Sequence, residues 1–266
     1  MHATVNMAVR AARAAGDVIV RNLDRLDRVQ VDNKGRNDFV SDVDRMAEEQ
    51  IIHILRRAYP DHAILGEESG SHGEADFEWV IDPLDGTTNF LHGFPHYAVS
   101  IALRHRGRLE SGVIYDPLRQ ELFTARRGAG CQLDGRRLRV TRAKTIDGAL
   151  LGTGFPFKNQ QLLNPYLDMF RDVSGRASDL RRAGSAALDL AYVAAGRLDG
   201  FWELGLQPWD MAAGALMVKE AGGLVGDVTG GENHMQTGHI VAGNPKLFAD
   251  LLRTIRPHYN SETMGG

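Results

Sequence analysis

The segment Trp79-Val80-Ile81-Asp82-Pro83-Leu84-Asp85-Gly86-Thr87-Thr88-Asn89 sets two carboxylates three residues apart, between an apolar run and a Gly-Thr-Thr turn. Pro83 fixes the backbone directly after Asp82, which lets the chain turn and carry Asp85 back beside it. Two carboxylates held that close repel each other, and a divalent cation between them relieves the repulsion. Gly86 permits close approach or a positive φ, and Thr87-Thr88-Asn89 can start a helix whose N–H groups face an anion. Metal and phosphate would then meet at one point. Asp-Pro and Asp-Gly are also ordinary turn pairs, but a plain turn gives no reason for both threonines.

Other acids strengthen the pattern. Gly66-Glu67-Glu68-Ser69-Gly70 follows the apolar run Ala63-Ile64-Leu65, so Glu67 can stand at the same sheet edge as Asp82; a loop of solvated acids accounts for it equally well. Pro208-Trp209-Asp210 opens a helical pattern from Met211 to Ala221, where Asp210 suits an N-cap. Ser41 and Asp44 have the spacing of a capping box. Mg²⁺ takes hard oxygen ligands and keeps several waters, so carboxylates from separate segments can serve it and leave room for phosphate oxygens. Histidine is not required. His92 and His96 have Gly93 and Pro95 between them, which interrupt any helix that would align them as ligands, and they read as structural or pocket-rim residues.

These acids need a layered scaffold to bring them together. Apolar or small residues at Val5, Ala8, Val9, Ala12, Gly16, Ile19, Val20 and Leu23 predict a long first helix, and Ala47, Ile51, Ile54, Leu55 and Ala58 a second, closed by Pro60. A polar stretch from Asp24 to Asp38 separates them. Short apolar runs ending in carboxylates (63–65, 79–81) read as buried strands, and the segments from Tyr97 to Val140 as an antiparallel meander. The second half alternates strand (149–152), helix (160–171), helix (185–195), strand (200–204), helix (211–221), strands (223–227, 239–242) and a last helix opened by Asn244-Pro245. The organisation is α/β: one domain over 1–256, in two closely packed halves that meet near 140–150, followed by a flexible tail, 257–266.

The chain has 266 residues, and 31 Lys plus Arg against 34 Asp plus Glu leave a formal charge of −3. That balance is ordinary for a globular protein. The lone Cys131 cannot form an internal disulfide, which excludes a disulfide scaffold and makes a reducing cytoplasm the expected setting; it reads as inert rather than nucleophilic. No run approaches the ~18 apolar residues of a membrane span, and Arg10 and Arg13 sit inside an alanine-rich helical pattern unlike a signal peptide.

Taken together, Trp79 to Asn89 and Trp209-Asp210 through Ala221-Gly222-Gly223 resemble the paired signatures of the inositol monophosphatase family, most closely its bacterial SuhB-type branch. Lys34, Asp38 to Asp44, Gly66 to Ser69, Gly184-Ser185-Ala186 and Phe201-Trp202-Glu203 extend the match over about residues 4 to 256. Two departures are mild: Leu84 stands where isoleucine is frequent, and Ser41 where threonine is. The resemblance implies a layered α-β-α-β-α sandwich and a homodimer. It implies that Glu67 and Asp82, with the carbonyl of Leu84, hold one Mg²⁺, that Asp82, Asp85 and Asp210 hold a second, and that Glu67 helps a third through water. Thr87, coupled to Asp44, would place or deprotonate a water, with Glu67 also in the catalytic set. Gly86, Thr87 and Thr88 would bind phosphate; Gly184, Ser185, Ala186, Glu203 and Asp210 would bind the polyol, with Lys34 near a mobile entrance loop.

The activity so implied is Mg²⁺-dependent, Li⁺-sensitive hydrolysis of myo-inositol 1-phosphate. The same acids serve related enzymes acting on fructose 1,6-bisphosphate, nucleotide 3′-phosphates or histidinol phosphate. The SuhB-type resemblance also implies a binding role in ribosomal RNA transcription antitermination, with RNA polymerase and Nus factors. Arginines at 104, 106 and 108, 126–127, 136–137, 139 and 181–182 could touch RNA, but the net charge and the scarcity of interleaved aromatics favour solvated loops and strand edges.

Overall fold

The computed structural model describes residues 2–23, 26, 31–35 and 38–260; the side chain of Lys34 lies outside what is described, as do residues 261–266. The chain opens with α1 (Ala3–Asn22), whose Ala8, Ala11, Ala12, Ala15 and Ile19 are buried on one stripe. A hairpin of β1 (Val31–Gly35) and β2 (Asp38–Ser41) follows, within and just past the polar stretch between the two helices. Helix α2 (Asp42–Ala58) starts at the expected capping box: Ser41 Oγ accepts from the Val43 and Asp44 N–H groups, and the Asp44 carboxylate accepts the Ser41 N–H at 2.9 Å. Next come β3 (Ala63–Gly66), β4 (Gly70–His72), β5 (Phe77–Asp85), the short α3 (Thr87–Leu91) and the meander β6 (Ala98–His105), β7 (Arg108–Asp116), β8 (Glu121–Arg126), β9 (Gly130–Leu133) and β10 (Arg136–Arg137).

The second half contains β11 (Leu150–Thr153), α4 (Leu163–Ser174), β12 (Asp179–Arg181), α5 (Ala186–Ala194), β13 (Gly200–Glu203), α6 (Pro208–Glu220), β14 (Leu224–Gly226), α7 (His234–Thr237), β15 (Ile240–Gly243) and α8 (Pro245–Ile255). Asp210 is not the N-cap of α6. Gln207 is the N-cap, Pro208 takes the first helical position, and Asp210 sits at the third, accepting the Gln207 N–H at 2.7 Å. Proline is favoured at that first position because its missing N–H has no partner there, which moves the helix start upstream of Asp210. Beyond α8 a short 3₁₀ turn, Arg256–His258, ties His258 to Asp172 at 2.7 Å, and Tyr259 packs on His239, so ordered packing continues past Pro257.

Two sheets organise these elements. The first has eight strands in the order β10-β9-β8-β7-β6-β5-β3-β4, antiparallel except for β3 beside β5. The second has five, β12-β11-β13-β15-β14, with β11 parallel to both of its neighbours. Three apolar clusters show how they stack. Val5, Ile19, Ile51 and Leu55 of α1 and α2 meet Trp79, Ile81 and Ile101 on one face of the large sheet. Its other face, through Val80, Ala98, Ala102 and Ile114, meets α5 and α6, which also touch Phe201, Ile240 and Ala242 of the small sheet. The far face of the small sheet is covered by Tyr166, Met169, Leu247 and Leu251 of α4 and α8.

The layers therefore run α-β-α-β-α. Sequence reflects position in the stack. Helix α1 is amphipathic, whereas Met211 to Val218 of α6 are all buried, as a helix clamped between two sheets must be. Among the described residues no helix is long and apolar enough to cross a membrane.

Candidate active site

The site forms where the middle helices meet the large sheet. In β5, Asp82 pairs with Ser100 of β6 and Asp85 with Ala98, so three steps along β5 match two along β6. Ordinary alternation would point Asp82 and Asp85 to opposite faces; the bulge over Pro83-Leu84 turns them to the same one. The Leu84 N–H bonds back to Asp82 Oδ1 at 3.0 Å, closing the turn that Pro83 begins. Leu84 itself is fully buried on the α1–α2 side, leaving its carbonyl to the site.

Glu67 arrives by parallel pairing. Gly66 faces Ile81, and the Glu67 N–H bonds to the Ile81 carbonyl at 3.1 Å, so Glu67 stands next to Asp82 across the sheet. Asp85 is fixed from the other side: Ser185, the N-cap of α5, donates its hydroxyl at 2.6 Å and the Ala187 N–H donates at 2.7 Å, both to Asp85 Oδ2. Asp210 projects from the first turn of α6. One oxygen each of Asp82, Asp85 and Asp210 falls in a group mutually within 4.8 Å, close enough for all three to hold one cation. That group does not include Glu67, which comes within hydrogen-bonding reach of Asp82.

Electrostatics follow from this crowding. Burial, then the neighbouring charges of Glu67, Asp85 and Asp210, raise the pKa of Asp82 well above the carboxylate range. Burial and then Asp210 push Asp85 up to about 7, against the pull of its Ser185 and Ala187 hydrogen bonds. Hard oxygens gathered against their mutual repulsion form the donor set a Mg²⁺ ion prefers.

Thr87 occupies the far side of the bulge. Its hydroxyl lies 2.8 Å from Asp44 Oδ1 and 3.1 Å from the Leu84 carbonyl. Donating to Asp44 leaves its lone pairs free to accept from a water. Asp44 is fully buried, and desolvation raises its pKa while bonds from Ser41 and Thr87 oppose the rise. Gly86 makes the turn at φ 101°, and a Cβ there would stand 3.0 Å from the His96 carbonyl oxygen, so the position accepts glycine alone without strain. Asn89 Nδ2 holds the Ala183 carbonyl at 2.9 Å and that of His96 at 2.7 Å, tying the Gly184 loop to α3.

Glu67, Asp82, Leu84, Asp85, Gly86, Thr87, Thr88, Gly184, Ser185, Ala186, Glu203 and Asp210 open onto one cavity of about 420 Å³, whose lining does not include Asp44. Glu203 ends β13 and lies against Gly154; burial, then Asp210, push its pKa to about 8. Spacing had not singled out the outer wall: Phe155, Phe157, Lys158, Asn159 and Gln207 also line the cavity. Arg182 belongs there too, its guanidinium 5.0 Å from the Phe157 ring centre, rather than on a separate basic surface. Aromatic residues at 155 and 157 flanking Pro156 were the available signal.

Other arginines are paired on the surface, Arg104 with Glu78, Arg106 with Asp76, Arg127 with Glu110 and Arg181 with Asp179. His96 is buried with its pKa lowered to about 4, His92 is exposed, and Cys131 is buried with its thiol pushed up to about 12.

Comparison with known proteins gives the family. The model of the Inositol monophosphatase family matches residues 1–260. The chain is 60% identical over 264 residues to the Nus factor SuhB of Pseudomonas aeruginosa, covering 97% of each. Among solved structures, the extragenic suppressor protein SuhB of Bartonella henselae superposes with a TM-score of 0.93 at 46% identity, over 96% of this chain and 99% of that one. The inositol monophosphatase of Anabaena superposes with a TM-score of 0.86 at 37% identity, over 96% and 95% of the two chains. With the bulged Asp82–Asp85 pair, the third carboxylate from α6 and matches spanning nearly its whole length, the chain belongs to the inositol monophosphatase family.

Proposed function

We propose that this chain is a Mg²⁺-dependent phosphatase of a small phosphorylated polyol, typified by myo-inositol 1-phosphate. The observation that carries the reading is the group of three carboxylates within 4.8 Å, opening onto the same cavity as Glu203 and the Gly86-Thr87-Thr88 turn. Glu67, Asp82, Asp85, Asp210 and the Leu84 carbonyl would hold the metal. When bound, Mg²⁺ acts as a Lewis acid that lowers the pKa of water and offsets phosphate charge. Asp44 holds the Thr87 hydroxyl so that its oxygen can accept a hydrogen bond from the attacking water, orienting it in line with the leaving oxygen, and can pass its own proton to the Asp44 carboxylate as it takes one from that water. Gly86, Thr87 and Thr88 border the phosphate position. Glu203 reads ring hydroxyls, with Ser185 and Ala186 shaping the floor.

Purified protein is expected to release phosphate from myo-inositol 1-phosphate faster than from fructose 1,6-bisphosphate, a nucleotide 3′-phosphate or histidinol phosphate. Release should require Mg²⁺ and fall with added Li⁺. No metal-dependent release from any of the four, by folded protein, would overturn the proposal.

A second reading has support from the 60% identical relative named a Nus factor: binding to the transcription machinery, independent of catalysis. Co-purification with RNA polymerase or Nus proteins that survives Asp82→Asn is its expected mark, and failure of the pure protein to bind them would remove it. Family membership supports a homodimer, and the single buried Cys131 suits a cytoplasmic setting.

A further inference from the structure

We infer that Glu48 is a positioning residue that sets the reach of Glu67 into the metal site, an inference that rests on the metal-dependent phosphatase proposed above. Glu48 lies on α2 one turn beyond Asp44, and is 2% exposed. Its carboxylate faces backbone: Oε2 accepts the Glu68 N–H at 3.0 Å and Oε1 the Ser69 N–H at 2.8 Å. On the other side it presses on Gly66, where an added Cβ would stand 2.7 Å from both oxygens. Glu67 is thus bracketed, with the carboxylate touching the residue before it and holding the two after it.

The arrangement makes α2 a two-pronged support. Residues four apart share a helix face, so the same turn of helix delivers Asp44 to Thr87 and Glu48 to the Glu67 loop. A shift of either group relative to the other would separate the water-positioning hydroxyl from the metal-binding loop. A charged acceptor is suited to the task because two N–H donors converge on one carboxylate. In Glu48→Gln one oxygen is replaced by an NH₂ group that opposes an N–H, and one donor loses its partner. Groups that orient metal ligands typically change affinity by about 10–100-fold when altered.

The test is a Mg²⁺ titration of the full chain read by thermal shift, with phosphate release measured in parallel. Glu48→Gln should raise the half-saturating Mg²⁺ about tenfold or more, while turnover at saturating Mg²⁺ stays within about threefold of the parent. In a Glu67→Gln background the same change should alter half-saturation less than about twofold, because the group it positions is already weakened. Gly66→Ala, on an extended backbone that accepts alanine, displaces the carboxylate from the opposite side and should raise half-saturation likewise; it serves if Glu48→Gln does not fold. Unchanged metal dependence in a folded variant, or an equal increment in the Glu67→Gln background, overturns the role of Glu48. If the parent shows no Mg²⁺-dependent thermal shift, the metal-site proposal itself fails and the inference falls with it.

Discussion

The Glu203 carboxylate lies directly on Gly154, so that a Cβ at position 154 would stand 2.0 Å from Oε1. The glycine just past β11 is what lets Glu203, at the end of the neighbouring β13, lie down into the cavity. Gly154→Ala should push Glu203 out of place and raise KM for the polyol phosphate by roughly tenfold, the loss of one good hydrogen bond. The thermal response to Mg²⁺ should not change. Steady-state kinetics and a metal titration on one preparation check both halves, and an unaltered KM would remove Glu203 from polyol recognition.

Asp82 feels the repulsion of three other carboxyls and is the most buried of the proposed carboxylate ligands. Asp82→Asn keeps the shape and removes the charge that two proposed metal positions share. Phosphate release should drop at least about 1,000-fold, equivalent to ~4 kcal/mol of transition-state stabilisation. The metal-free variant should melt higher than the metal-free parent, because a source of repulsion is gone. Substantial Mg²⁺-dependent turnover would contradict the assignment.

The pH dependence of stability has a definite sign. Asp85 is raised from 3.8 to about 7 in the folded chain, so its favourable contribution is complete below pH 3.8 and is lost as pH rises toward 7. His96 and His234, lowered from 6.5 to about 4, act in the opposite direction, adding stability as pH rises between those values. Both histidines contribute with or without metal and cancel in the difference. The gain in Tm on adding Mg²⁺ should therefore grow from pH 5 to pH 8, reaching about 5–10 °C at a hundredfold excess over Kd. Scanning fluorimetry in Mg²⁺ and in chelator measures it, and a gain that shrinks with rising pH would be the wrong sign.

Thr87→Val removes the hydroxyl that connects Asp44 to the cavity and leaves its volume nearly unchanged. If Thr87 and Asp44 place the attacking water, kcat should fall about 100-fold or more, while KM and the metal requirement change little. Asp44→Asn should lose a similar amount, and the double variant little beyond either one, since both act through one hydrogen bond. Additive losses would separate their roles.

How much of this was legible in advance depended on distance along the chain. Pro83 and the spacing of Asp82 and Asp85 already specified a local turn with both acids on one side, and the Ser41–Asp44 box located the start of α2 within a residue. The apolar runs before Glu67 and Asp82 indicated strands. Each is a relation within about four residues, where covalent geometry and the period of helix or strand leave little choice.

Sheet register and layer packing decided the rest. Ser185 reaches Asp85 across 100 residues, Glu48 holds a loop 20 residues away, and Arg182 turns from an apparent surface charge into a cavity wall beside Phe157. Even Asp210, adjacent to its helix start, changed position once Pro208 took the first turn. The types of residue carried the chemistry from the beginning: clustered hard oxygens, a hydroxyl, a glycine turn. Their convergence came only when two sheets closed on the helices between them, because repulsion among buried carboxylates is overcome by packing that no short segment contains.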